Sequence, residues 1–386
     1  MRSTSPVFTG LPTTIFEVMS RLAIEHGSIN LGQGFPDVDG PEDVRAAAAK
    51  AIMDGPNQYP PMLGIPALRE AVAATEKRFF GLERDPAGEV IVTSGATEAL
   101  SDCIMALVEP GDEVVLFEPL YDCYVPLVER AGGIARFVRL APPDWAVTDA
   151  ALEAAFSDRT KLVLINNPLN PASKVFGAEE LSRIAALVER FDAYVIADEV
   201  YEHLVFDGLK HIPFSSLPGM EARTLRVGSA GKTFSLTGWK VGYITGPKAL
   251  IEPVAKAHQF TTFTTPPHLQ KAVAEGLAKG DEYYRDLAGD LERKRDRLRA
   301  GLEGLGLQCL DASGSYFLTA DIRPLGLGDD VEACQRMTRE AKVTAIPVSA
   351  FYRTDPPRHF VRFCFCKRDA VLDEAVARLR AWIAGR

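Results

Sequence analysis

The chain has 386 residues, more than one compact core usually holds, so a large domain with a smaller companion is expected. Hydrophobic residues make up 47% and charged ones 25%, the balance of an ordinary globular protein, and the net charge of -9 argues against nucleic acid or anionic membranes as partners. No apolar run reaches membrane-spanning length, and Met1 to Gly10 carries one Arg with no apolar stretch behind it, so neither a membrane span nor a secretory signal is expected.

Near the N-terminus, Thr14-Ile15-Phe16-Glu17 has the capping-box pattern that starts a helix. Asn30-Leu31-Gly32-Gln33-Gly34-Phe35-Pro36 reads as a loop, and Pro41 to Met53, Ala-rich with an acidic start, as a helix. From about residue 88 to 246, short β-branched runs alternate with helical patterns. Strands are predicted at Val90–Thr93, Glu113–Phe117, Leu162–Ile165, Tyr194–Ala197 and Thr224–Val227, with helices at Thr97–Val108 and around Glu179–Arg190. This alternation predicts an α/β fold with a mainly parallel sheet covered by helices. A long charged helix, Arg285–Leu302, then leads into a second set of strands and helices that fits a smaller α/β domain.

The cysteines at 103, 123, 309, 334, 364 and 366 are too scattered for a disulfide framework, and a reducing cytosol is the expected setting. Cys364 and Cys366 share one facing of an alternating strand with no Cys or His pair nearby. They read as core thiols, and with six dispersed His no metal site is expected.

Polar residues capable of chemistry cluster just after the predicted strands, where an open parallel sheet binds its ligand. Ser94-Gly95-Ala96-Thr97 opens a helix with exposed amides that suit a phosphate, a weak signal alone. Asn166-Asn167-Pro168-Leu169-Asn170-Pro171 follows the third of these strands, and Asp198, Glu199 and Tyr201 follow the fourth. Gly228-Ser229-Ala230-Gly231-Lys232 follows the fifth, and Gly238-Trp239-Lys240 comes next.

With Asn30 to Asp37, Asn57-Gln58-Tyr59, Glu118 to Tyr124 and Phe360 to Cys364 added in order, the chain resembles the class I/II aminotransferases of fold type I over nearly its whole length. The kynurenine/glutamine and methionine aminotransferase branch is the most similar. The resemblance implies a large domain with a mainly parallel seven-stranded sheet between helices and a smaller α/β domain, divided as 1–40, 41–282 and 283–386. It also implies pyridoxal 5'-phosphate as cofactor, a ping-pong transamination, and a homodimer with shared sites.

Residue by residue, Lys232 is then the amine that captures the cofactor aldehyde as a Schiff base and later moves a proton. Asp198 would keep the pyridine nitrogen protonated. Tyr201 and Asn170 would hydrogen-bond the phenolic oxygen, Asn170 would also reach the substrate carboxylate, and Tyr121 would stack on the ring. Gly95, Ala96, Thr97, Ser229 and Lys240 would gather the phosphate, and Tyr59 would be lent across the dimer. Arg362 would grip the substrate carboxylate, as a planar guanidinium can and Lys cannot. Gly34 would leave room beside that carboxylate. Taken singly these residues have plainer readings: Lys232 a solvated lysine, Asp198 a helix N-cap, Tyr121 and Tyr201 packing, Arg362 a strand residue facing solvent.

Asn170-Pro171 is followed by Ala172-Ser173 where the family usually has Thr-Gly or Leu-Gly, Phe263 is followed by Thr264 where the kynurenine branch has His, and Ala96-Thr97 stands where some relatives carry an aromatic. These departures bear on substrate. His258 to His268 contains no Arg or Lys to serve a distal carboxylate. A neutral donor such as methionine, glutamine or an aromatic amino acid is therefore expected, in an apolar pocket around Ile15, Phe16 and Tyr121. The alternatives are a β-lyase on cysteine conjugates, which begins with the same proton loss, and a non-catalytic cofactor-binding module. The latter would need a DNA-binding segment and a basic patch.

Overall fold

In the computed structural model residues 4–386 are described. The strands are, in chain order, β1 Ile29–Asn30, β2 Val90–Thr93, β3 Glu113–Glu118, β4 Ile134–Arg139, β5 Thr160–Asn166, β6 Tyr194–Asp198 and β7 Thr224–Ser229. They continue with β8 Gly242–Thr245, β9 Gln308–Cys309, β10 Phe317–Asp321, β11 Val343–Thr344, β12 Ile346–Pro347 and β13 Phe360–Cys364. Seven of them form the main sheet in the order β2-β8-β7-β6-β5-β3-β4, in which only β8 runs against its neighbours.

The near-continuous apolar runs of β2, β3, β5 and β6 follow from burial on both faces. Val114, Leu116, Leu162, Leu164 and Ile196 pack one face against Leu100, Cys103 and Ile104 of the helix Ala96–Leu107. Val115, Phe117, Val163, Ile165 and Val195 pack the other against Leu181, Ile184 and Val188 of the helix Ala178–Arg190. The period of two in the strands thus splits one sheet into two cores.

A four-stranded antiparallel sheet, β12-β13-β10-β9, lies in the C-terminal part. β1 pairs in parallel with β11, which fastens the N-terminal loop to that part of the chain. Thr14 is the N-cap of the helix Ile15–His26, its hydroxyl accepting from the Glu17 amide, which is one half of the expected capping box. The charged helix is longer than its pattern suggests and spans Asp281–Glu303. β4 and β8 are not evident in the sequence. β4 is an edge strand in which only Val138 is buried, so its alternation is weak, and β8 opens on Gly242.

Candidate active site

β2, β3, β5, β6 and β7 deliver their C-terminal ends to one edge of the sheet, as parallel strands do when their crossovers share a hand. That edge opens into a cavity of about 410 Å³, a size suited to a small ligand. Gly95, Ala96, Thr97, Ser229 and Lys240 line one pole of it. Gly95 has φ +84°, and a Cβ there would come 3.1 Å from Cε and 3.2 Å from Nζ of Lys240. The bare turn therefore admits the ammonium beside the first amides of the helix Ala96–Leu107, an arrangement that attracts a dianion.

Asp198 is the last residue of β6, and no helix follows it, so the N-cap reading is excluded. It is buried, and its Oδ2 accepts from the Tyr124 hydroxyl at 2.5 Å, while Oδ1 has no partner among the described residues. Burial pushes its carboxyl up to about 6, against the hydrogen bonds from Tyr124 and the Val200 amide. A buried carboxylate oxygen left open toward a cavity is costly on its own and suits a cationic N–H donor such as a pyridinium.

Lys232, in the short helix Ala230–Thr233 after β7, also lines the cavity, with Nζ 5.8 Å from the ring centres of both Tyr201 and Tyr316. Burial lowers its pKa, which favours the free amine that a carbonyl captures. Tyr201 is buried edge-to-face on Tyr316 at 5.1 Å. Tyr121 is half-buried and lines the cavity, edge-to-face with Tyr124 at 5.8 Å.

At the other pole Arg362, in the middle of β13, is 0% exposed, which excludes the reading of a strand residue facing solvent. Nη1 donates to Asn170 Oδ1 at 2.8 Å and Nη2 to the Gly32 carbonyl at 2.7 Å. Its plane lies 3.9 Å from the Phe317 ring centre. Burial lowers its pKa to about 10, so it stays charged at neutral pH. Two of the five guanidinium N–H groups are used by these bonds, and the remaining fork can meet a carboxylate. Asn170 is held in turn by Asn166, whose Oδ1 accepts from its amide at 2.7 Å while Nδ2 donates to the Asp198 carbonyl at 2.8 Å.

Gly34 lines the cavity together with Arg362, and a Cβ there would meet the Phe317 ring at 2.6 Å and Tyr316 at 3.0 Å, so this glycine also makes room for the aromatic wall under Arg362. One expectation needs correction. Ile15 packs toward the core, and Thr14 takes its place beside Phe16 in the cavity wall. Tyr59 stays outside the cavity of its own chain, 84% exposed, with its ring 5.5 Å from that of Phe263.

The turn after Asn170-Pro171 keeps a left-handed residue despite the missing glycine. Ser173 has φ +57°, and its buried hydroxyl contacts the Ser315 hydroxyl and the Phe317 carbonyl, each at 2.7 Å. Cys364 and Cys366 are buried free thiols on one face, with sulfurs 3.1 Å apart. Tyr124, Asn166 and Asp122 were not singled out in the sequence as site residues. Tyr124 and Asn166 stand within the motif stretches, but an aromatic or an amide after a strand usually only packs or caps a turn.

The donor set therefore fits pyridoxal phosphate: a phosphate cradle, an amine at mid-cavity, an open carboxylate oxygen and an enclosed guanidinium. A fold and site of this kind define a cofactor-dependent enzyme acting on amino and oxo acids. The family description "Aminotransferase class I and II" matches residues 27–379, and the chain belongs to that family. It is a pyridoxal 5'-phosphate-dependent aminotransferase of fold type I.

The chain is 46% identical over 378 residues to the probable N-succinyldiaminopimelate aminotransferase DapC of Mycobacterium tuberculosis, covering 95% of each protein. It is 41% identical over 370 residues to the methionine aminotransferase of Escherichia coli, covering 96% of each. The solved structure of N-succinyldiaminopimelate aminotransferase from Mycobacterium tuberculosis superposes with a TM-score of 0.96 at 45% identity, covering 98% of this chain and 100% of that one.

Proposed function

We propose that this aminotransferase takes its amino group from a neutral L-amino acid, of the methionine, glutamine or aromatic kind, and passes it to a 2-oxo acid in a ping-pong cycle. The observation that carries this reading is the charge of the cavity wall. Among the described residues its cations are Lys232, Lys240 and Arg362, each with a task, and Phe16, Tyr121 and the acidic Asp122 complete the substrate side. A second carboxylate on the substrate would meet no further arginine among them. The similarity to the Escherichia coli methionine aminotransferase supports the same reading.

Pyridoxal phosphate supplies an electron sink when bound. The chain's own residues would do the rest. Lys232 would hold the cofactor through its amine and, once the substrate amine has displaced it, would use that freed amine to take up and return the Cα proton. Asp198, fixed by Tyr124, pairs with the ring nitrogen, and Tyr201 and Asn170 bond the phenolic oxygen. Tyr121 covers one ring face. Gly95, Ala96, Thr97, Ser229 and Lys240 bind the phosphate. Arg362 and Asn170 orient the substrate carboxylate.

Tyr59 would complete the partner's site in a homodimer. We place the domain divisions at 1–40, 41–282 and 283–386. The six free thiols support a cytosolic setting, and among the described residues no helix is long and apolar enough to cross a membrane.

A panel of amino acids, each mixed with the enzyme while cofactor absorbance is followed, tests the substrate. Methionine, glutamine or phenylalanine should exceed aspartate and glutamate in kcat/KM by about tenfold or more, the effect of one missing charge partner. Equal or better rates with the acidic donors, or with N-succinyl-LL-diaminopimelate, contradict the proposal. Pyruvate and ammonia as the main products from a cysteine conjugate would point to the lyase instead.

A further inference from the structure

Behind the phosphate pole lies a buried charge cluster that the chemistry above does not use. His258, near the end of the helix Lys248–Thr261, is wholly buried. Its Nδ1 stands 2.6 Å from Glu98 Oε1 and 3.4 Å from Asp102 Oδ2, and its Nε2 stands 3.1 Å from the Met62 carbonyl. A carbonyl only accepts, and so does an ionised carboxylate, so both ring nitrogens donate and the ring is an imidazolium. Burial works against that charge, but the hydrogen bonds to Asp102 and Glu98 hold its pKa up at about 9. Glu98, Asp102 and His258 have the spacing of a metal site, yet both ring nitrogens are committed and no lone pair is left for an ion.

Glu98 is the third residue of the helix Ala96–Leu107, and its other carboxylate oxygen accepts from the Ser94 amide. The Ser94 hydroxyl meets that of Thr265 at 3.0 Å. Gln270 donates to the Thr265 carbonyl at 2.6 Å and accepts from the Ile65 amide at 2.8 Å. The phosphate turn, the Tyr59–Ile65 segment and the 262–266 segment thus converge on one imidazolium.

We propose that His258 and Glu98 are positioning residues for the cofactor phosphate, an ion pair that aims the Ser94–Thr97 turn and keeps it in register with the segment carrying Tyr59. Burial and the neighbouring Glu98 push the Asp102 carboxyl up, so without the imidazolium the two carboxyls would share one proton and Glu98 would lose the partner that fixes its carboxylate on the Ser94 amide. The remaining negative charge, directly behind amides that must bind a dianion, would stand unneutralised where little water screens it. This inference rests on the assignment of the phosphate pole made above.

The test uses the full-length enzyme and equilibrium dialysis with pyridoxamine 5'-phosphate, with unphosphorylated pyridoxamine, and with inorganic phosphate as competitor. His258→Gln should weaken pyridoxamine 5'-phosphate and inorganic phosphate by about tenfold each, the scale of one buried charge pair, and leave pyridoxamine within about twofold. Glu98→Gln, which keeps shape but loses charge, should show the same phosphate-selective loss, because the Ser94 amide and His258 lose an ionised acceptor. Equal losses for pyridoxamine with and without phosphate, or no loss of either, overturn the proposal.

Lys240→Met separates the two readings. If it leaves inorganic phosphate binding unchanged, the phosphate pole itself is misassigned. If it weakens phosphate while His258→Gln and Glu98→Gln do not, only the positioning role falls. Should neither variant fold, the 15N spectrum of histidine-labelled wild-type enzyme decides. A doubly protonated His258 ring at about pH 7.5 supports the ion pair, and a neutral ring overturns it.

Discussion

Asp198 carries the electrostatics of the site in two atoms: Oδ2 fixed by Tyr124 and Oδ1 open to the cavity. Tyr124→Phe removes a hydrogen bond to a charged group, worth about 1.5–3 kcal/mol, so kcat/KM should fall about tenfold to a hundredfold in steady-state assays. Asp198→Asn should abolish turnover yet raise the thermal midpoint of the cofactor-free chain at about pH 8. The folded pKa, about 6, stands above the ordinary 3.8. The cost of burying this carboxylate is therefore full above about 6 and relieved as pH falls toward 4. The gain from Asn should shrink over that window, and a gain independent of pH would contradict the assignment.

Arg362→Lys leaves one charge but loses the planar fork, and kcat/KM should drop about a hundredfold for every amino-acid donor alike. Lys232, Asp198 and Arg362 were legible in the sequence because few side chains can do their chemistry and each sits at a fixed place in a motif. Tyr124 was not, since its role depends on its hydroxyl reaching from the head of the helix Tyr124–Arg130 across to the end of β6. Gly34 was legible as a needed glycine, but the aromatic wall it also accommodates was not, because Phe317 arrives from a strand far along the chain.

At the scale of elements, β2, β3, β5, β6 and β7 were read to within two residues at either end, whereas β4 and β8 were missed for want of a pattern and the strands of the C-terminal sheet were expected only as a group. The strand ends matter most. Asn166, Asp198 and Ser229 close their strands instead of following them, so the sheet itself holds their backbones rigid.

The left-handed turn at Ser173 was flagged as a departure without its consequence. Ser173→Gly relieves the backbone but loses two hydroxyl contacts, and stability in urea should change by less than about 1 kcal/mol. Ser173→Ala keeps the strained φ and loses the same contacts, and should destabilise by about 1–3 kcal/mol. The reverse order of the two variants would show that the positive φ at Ser173 carries no strain.

For the whole molecule, the exposed rings point outward from the site. Tyr59 is 84% exposed and Phe260 85%, with Phe263 packed beside Tyr59. Apolar groups so displayed side by side support the proposed dimer interface. If Tyr59 serves the partner's site, inactive Lys232→Ala chains mixed and refolded with weakened Tyr59→Ala chains should give activity above the sum of the two, because each mixed dimer has one intact site. Strict additivity would exclude Tyr59 from the partner's site. Neither interface nor lending could be derived from composition or periodicity. The motif Asn57-Gln58-Tyr59 carried that expectation by resemblance alone.

The central claim is that Lys232 bears the cofactor. Borohydride reduction of the holoenzyme, followed by peptide mass spectrometry, tests it directly. The phosphopyridoxyl group should be found on the peptide containing Lys232 and on no other. A label on Lys240 or any other lysine, or no label on an enzyme that turns over, would contradict the account.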